Sequence, residues 1–98
     1  MAAYVISEIE PRDPVLFERY RALAPATIAK HGGRYLVRGG ASEVIEGGPP
    51  AKMIVVLEFP SMAQAKGWYD SADYAEARAV SKNALRRRLI FVEGVAPG

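Results

Sequence analysis

The sequence predicts an α+β fold of order β-α-β-β-α-β, in which a four-stranded antiparallel sheet carries its helices on one face. Three observations carry this prediction. The run Met53-Ile54-Val55-Val56-Leu57-Glu58-Phe59 is apolar without a break up to Glu58 and is closed by Pro60. A strand covered on both faces has that pattern, whereas one wet on a single face alternates. On either side of it, apolar residues recur at spacings of three and four, the mark of helices with one buried face. Glycine and proline clusters at 32–33, 39–40 and 47–50 fall where helices and strands have to stop or turn.

Tyr4-Val5-Ile6-Ser7-Glu8-Ile9 forms the first strand, ended by Pro11. Asp13 caps the first helix and Pro14 takes its first position, where a missing N–H costs nothing. Leu16, Phe17, Tyr20, Leu23, Ala24 and Ile28 make its apolar face, with Pro25 expected to kink or split it near Leu23-Ala24. Lys30 and His31 suit the carbonyl end, and Gly32-Gly33 supplies the stop. Arg34–Arg38 is the second strand. A bulge at Gly39-Gly40 and renewed extension over Ser42–Glu46 would make a long hairpin with the central strand, reversed at 47–50.

Ser61 and Gln64 match a capping box at the start of the next helix. Ser71 can restart that helix, and Tyr74, Ala77, Ser81, Ala84 and Leu85 continue the stripe. Arg86-Arg87-Arg88 then leads as a solvated turn into the last strand, Leu89–Glu93.

At 98 residues the chain is long enough for one domain, over residues 1–98, and not for two. Half of it is apolar, about a quarter is charged, and the net charge is only +2, with acids and bases interspersed. That is a solvated surface and not a nucleic-acid footprint. No cysteine is present, so disulfides and thiolate metal sites are excluded. No apolar stretch approaches the roughly 20 residues of a membrane span. Glu8 and Glu10 stand where a signal peptide would still be apolar, which makes a cytoplasmic location the expectation.

Two helices cover only one face of a sheet. Yet the central strand is apolar on both sides, and Ile90-Phe91-Val92 is apolar in consecutive positions. A second copy laid sheet against sheet is the economical cover, giving a homodimeric barrel with typically about 800 Å² buried per partner.

The combination His31-Gly32-Gly33-Arg34-Tyr35-Leu36-Val37-Arg38-Gly39-Gly40, Glu46-Gly47, Glu58-Phe59-Pro60-Ser61, Trp68-Tyr69-Asp70-Ser71, Tyr74 and Val92-Glu93-Gly94-Val95 resembles the DUF1330 family. The likeness runs from about Tyr4 to Val95, in the family's order. It implies the ferredoxin-like fold and membership of the dimeric α+β barrel superfamily, but no established activity. Arginine is common in that family at the positions held here by Met53 and Ser81, so any anion-binding role of those arginines has no counterpart at these two positions.

Glu58 is the first candidate for chemistry. It shares a strand face with Ile54 and Val56, and a carboxylate on an apolar wall is a plausible proton acceptor or donor. The structural alternative is an ion pair with Arg38 on the neighbouring strand. His31, the only histidine, is either a second acid/base group or a helix cap.

A lone histidine without cysteine offers no metal cluster, and no HExxH, GxSxG, GxGxxG or P-loop spacing occurs. No metal or organic cofactor is therefore expected. Tyr20, Trp68 and Tyr74, with Arg38 as anion clamp and Ser71 at the mouth, would line a small-molecule pocket between helices and sheet. The β-α-β-β-α-β order is shared with RNA-recognition domains, but the central strand offers no rings for bases to stack on. Two functional readings follow. One is an enzyme working without a cofactor through Glu58, and the other is a non-catalytic module binding a metabolite or a protein.

Overall fold

The computed structural model describes residues 1–50 and 52–96. Its elements are β1 (Ala3–Pro11), α1 (Pro14–Lys30), β2 (Arg34–Arg38), β3 (Met53–Phe59), α2 (Met62–Asp70), α3 (Ala72–Ala84) and β4 (Leu85–Glu93). The four strands form one antiparallel sheet in the order β2-β3-β1-β4, the ferredoxin-like arrangement. β1 and β3 are central, as the unbroken apolar run of β3 requires.

The helix ends follow the sequence closely. Asp13 Oδ1 accepts from the N–H groups of Val15 and Leu16 at 3.0 and 3.1 Å, with Pro14 just behind it. Ser61 Oγ accepts from Gln64 N at 3.1 Å, while the Gln64 amide reaches the His31 carbonyl instead of completing the capping box. Ser71 closes one helix and opens the next: its hydroxyl donates to the Trp68 carbonyl at 2.7 Å and accepts from Tyr74 N at 3.1 Å. The second helical stretch is thus two helices.

Four local expectations are corrected. Pro25 neither splits nor ends α1, which runs on to Lys30. The proline removes one N–H, but the buried side chains of Ala24 and Ile28 on either side hold the helix against the sheet. Residues 42–46 are not a strand. Once Arg38 pairs with Val55 and Gly39 N donates to the Ile54 carbonyl at 2.9 Å, β3 has only Met53 left to offer, and Pro49 and Pro50 carry no N–H for a ladder. The bulge lies between Tyr35 and Val37, not at Gly39-Gly40. Finally, Arg86, Arg87 and Arg88 belong to β4 and not to a turn: they pair with Glu10, Ile9 and Glu8 of β1.

Strand alternation sorts the side chains onto two faces. Towards the helices point Ala3, Val5, Ser7 and Ile9 of β1, Leu57 and Phe59 of β3, and Leu85 of β4, all buried. The opposite face carries Tyr4, Ile6, Ile54, Val56 and Ile90, half-buried, with Val37 and Val92 exposed. The core itself falls into two clusters. The larger gathers Val5, Ile28, Phe59, Trp68 and Tyr74; the smaller holds Ile9, Phe17, Ala84 and Leu85.

Gly33 shows how tightly the larger cluster closes. A Cβ there would lie 2.6 Å from the Phe59 ring and 2.9 Å from Ile28 Cγ2. Gly33→Ala is therefore expected to destabilise by about 1–3 kcal/mol in urea unfolding. Gly40→Ala, with no atom of the described residues within 4 Å of its new methyl, serves as the control. It is expected to change stability by no more than about 0.5 kcal/mol.

Candidate functional site

Between the two core clusters lies a cavity of about 250 Å³, bounded by the sheet on one side and α1 and α2 on the other. Val5, Leu57 and Trp68 of the larger cluster and Ile9 and Phe17 of the smaller one form its walls, so the cavity is the gap that divides the core. Arg21, Arg38 and Gly39 are its exposed lining residues and mark the mouth, beside the middle of α1 and the end of β2. The Arg38 guanidinium lies 4.5 Å from the centre of the Tyr35 ring. Burial raises the Tyr35 phenol above its ordinary pKa, against the opposing charge of Arg38.

The polar centre of the cavity is Arg87. Pairing of β4 with β1 puts it opposite Ile9, on the helix side of the sheet, where its neighbours in the alternation are Leu85, Leu89 and Phe91. Its Nη1 donates to the Tyr20 hydroxyl at 2.9 Å and its Nη2 to the Tyr74 hydroxyl at 3.0 Å; the two phenol oxygens are 2.6 Å apart. Among the described residues no carboxylate lies within ion-pair distance of it. Burial works against the charge of Arg87, but the two phenol oxygens outweigh it, and its pKa lies above the usual arginine value.

Tyr74 is fully buried, and that burial pushes its phenol far above the ordinary range, with Tyr20 adding to the shift and Arg87 opposing it. Ser7, 4% exposed, also faces the cavity, and among the described residues its hydroxyl has no hydrogen-bond partner. Among the described lining residues there is no aspartate, glutamate or histidine.

The residues singled out in the sequence are thus divided. Tyr20, Arg38 and Trp68 line the cavity, while Tyr74 stands behind Tyr20 as its hydrogen-bond partner. Ser71 is occupied as a double helix cap, so the mouth is not at the Ser71–Tyr74 break. Glu58 lies on the opposite face of the sheet and pairs with Arg34, not Arg38, at 2.7 Å. Register explains it: Arg34 stands opposite Glu58, whereas Arg38 stands opposite Val55 on the other face.

His31 closes α1 outside the cavity, and its Nε2 lies 3.1 Å from Asp73 Oδ2, with Lys30 Nζ 2.8 Å from Oδ1. Of the two positions where the resemblance implies that arginine is common, Met53 lines the cavity and Ser81 is buried in α3, donating to the Arg78 carbonyl at 2.6 Å. Arg87, Ser7, Arg21 and Tyr35 escaped sequence reasoning. For Arg87 the signal was present, since Leu85, Leu89 and Phe91 share its parity.

Residues 2–95 match the family model described as a domain of unknown function, DUF1330. The chain belongs to the DUF1330 family. No curated protein matches this DUF1330 chain. Among solved structures, it is similar to a protein of unknown function from Rhodopseudomonas palustris, at 16% identity and TM-score 0.77 over 98% of this chain and 84% of that one. It is also similar to a dimeric ferredoxin-like protein of unknown function from Jannaschia sp. (13%, TM-score 0.70, 96% and 100%). A third is SnoaB, a cofactor-independent oxygenase from Streptomyces nogalater (8%, TM-score 0.68, 98% and 95%). At these identities the likeness establishes the ferredoxin-like fold.

Asp73 yields a pH prediction. Hydrogen bonds from Lys30, then from His31, hold its carboxyl below the ordinary aspartate value. The folded state therefore binds fewer protons at this site than the unfolded chain does. The contribution is complete above the unfolded aspartate value and is lost as pH falls through the folded one. Thermal melts from neutral to acid pH are expected to show the wild type losing its advantage over Asp73→Asn at the acid end, with the gap restored on return to neutrality.

Proposed function

We propose that this DUF1330 protein is a homodimer, sheet against sheet, and that each protomer binds a small organic anion with an apolar body in the cavity between helices and sheet. The observation that carries the proposal is the half-buried Arg87 in a cavity wall that offers it two phenols and no carboxylate. The two phenols accept from the guanidinium and hold it in its charged form but are not counter-ions, and a bound carboxylate supplies the counter-charge through charge-assisted hydrogen bonds. Arg38 and Arg21 at the mouth favour the same sign of ligand. The apolar walls and the volume suit a single substituted ring; benzene occupies a cavity of roughly 150 Å³. The unpartnered Ser7 hydroxyl would meet a second polar group of that ligand.

For the dimer, the support is the apolar face of Ile6, Ile54, Val56 and Ile90, which no element among the described residues covers, together with the dimeric state of the similar Jannaschia protein. Glu58 and His31 lie outside the proposed site. Conversion of the ligand without a cofactor is a second reading, favoured by the Arg87–Tyr20–Tyr74 cluster, because such a cluster stabilises developing negative charge on oxygen. SnoaB lends it only the analogy of a shared fold.

Two experiments test the proposal. In thermal-shift measurements benzoate is expected to raise the melting temperature of the wild type while benzamide, its neutral counterpart, does not. Arg87→Met should lose the benzoate response and Arg87→Lys should keep part of it; equal responses to the two ligands would refute the anion site. In sedimentation at micromolar concentration the wild type is expected at twice the chain mass. Ile6→Arg, a charge in the middle of the open face, should shift it to the monomer. A monomeric wild type would overturn the dimer.

A further inference from the structure

On the basis of the anion site proposed above, we infer that the Tyr20 hydroxyl is the donor that meets the ligand, its proton turned into the cavity by Tyr74, so that the ligand is an oxyanion: a carboxylate, phenolate or enolate.

The inference comes from counting protons. Tyr20 and Tyr74 bring two hydroxyl protons to a contact of 2.6 Å that holds one of them. Each phenol oxygen already accepts from Arg87, at 2.9 and 3.0 Å. Tyr74 is fully buried, and among the described residues the only acceptor within reach of its hydroxyl is the Tyr20 oxygen. If Tyr20 donated to Tyr74, the proton of Tyr74 would be left in the core with nothing to bind, the costly outcome for a buried donor. The reverse direction leaves no orphan. Tyr74 donates to Tyr20, and the remaining proton belongs to Tyr20, which is half-buried and lines the cavity.

The two ring planes, 79° apart with centroids 6.4 Å from each other, keep the phenols edge to face. Donation from both Arg87 and Tyr74 onto the Tyr20 oxygen polarises its O–H and strengthens it as a donor. The other charged or titratable groups facing the cavity are Arg21 from α1, and Tyr35 and Arg38 from β2. None of them is a carboxylate, and among the described residues none of them accepts a hydrogen bond from the Tyr20 hydroxyl. A directed O–H beside a guanidinium selects an oxygen with lone pairs, not negative charge in general. Tyr20 is thus a specificity-determining residue, and Tyr74 a positioning residue acting through it.

The test uses 4-nitrophenol, whose ionised form absorbs visible light, so that its protonation in the complex is read directly. Bound to the wild type, its pKa is expected to fall by about one unit or more. Tyr20→Phe should abolish most of that fall and weaken phenolate binding about tenfold. Tyr74→Phe should leave binding within about threefold of wild type, because Tyr20 keeps a free proton. Should Tyr20→Phe not fold, the double variant Tyr20→Phe/Tyr74→Phe, which has no orphan hydroxyl, is expected to show the same loss.

If Tyr20→Phe binds 4-nitrophenolate with the wild-type affinity and pKa while Arg87→Met does not, the role of Tyr20 is overturned and the anion site stands. If neither 4-nitrophenol nor benzoate binds the wild type, both are overturned.

Discussion

A guanidinium set on the helix side of a sheet is the constraint that organises this molecule. Arg87 occupies a position in β4 whose neighbours in the alternation are Leu85, Leu89 and Phe91, so apolar packing would ordinarily close over it. A charge cannot be closed over in that way. Two phenols turn their oxygens towards it, the core divides into clusters on either side, and about 250 Å³ remains between them. The cavity and its electrostatics thus have one cause. The aromatic group behind it is equally directed: Trp68 lies tilted against Tyr74 with ring centres 4.2 Å apart and donates its Nε1–H to Thr27 Oγ1 at 3.0 Å. Tyr20 and Tyr74, which hold Arg87, join α1 to α3, and Trp68 ties α2 to both.

The other face of the sheet follows a different logic. Its centre is apolar and its margins are charged: Arg34 and Glu58 pair at one end, while Glu8 and Arg88 stand opposite each other in the register at the other. An apolar middle with a charged rim is the anatomy of an interface, where rim charges set register and orientation. In the proposed homodimer Glu58 would lie in such a rim. Its half-buried carboxylate and the Arg34 guanidinium lie on the side of the sheet away from the cavity, which is why a residue so prominent in the central strand stands apart from the site.

Much of the fold was legible because it rests on local rules. Asp13, Pro14, Ser61 and Ser71 announce helix starts by their side-chain chemistry, and the unbroken apolar run of β3 announces a central strand. Misjudgement began where pairing partners decide. Nothing in Ser42–Glu46 forbids a strand; the lack of a free partner on β3 does. Pro25 breaks a rule of isolated helices that packing of Ala24 and Ile28 overrides.

The candidate site was half legible, since Tyr20, Arg38 and Trp68 come from elements whose faces could be deduced. Arg87 was hidden inside a triplet of like charges, where composition suggests solvent and only the strand's alternation separates the middle residue from its neighbours. Glu58 and Arg38 were matched by their distance from the turn, but the register sets Arg38 opposite Val55 and Arg34 opposite Glu58, on opposite faces, with the bulge between Tyr35 and Val37 and not at Gly39-Gly40.

The most direct test is a crystal structure of the protein grown in saturating benzoate. The account predicts a carboxylate within hydrogen-bond distance of the Arg87 guanidinium and the Tyr20 hydroxyl, with its ring against Val55 and Leu89. A cavity holding only water under those conditions, with Arg87 turned away to solvent or to an acidic side chain, would contradict it.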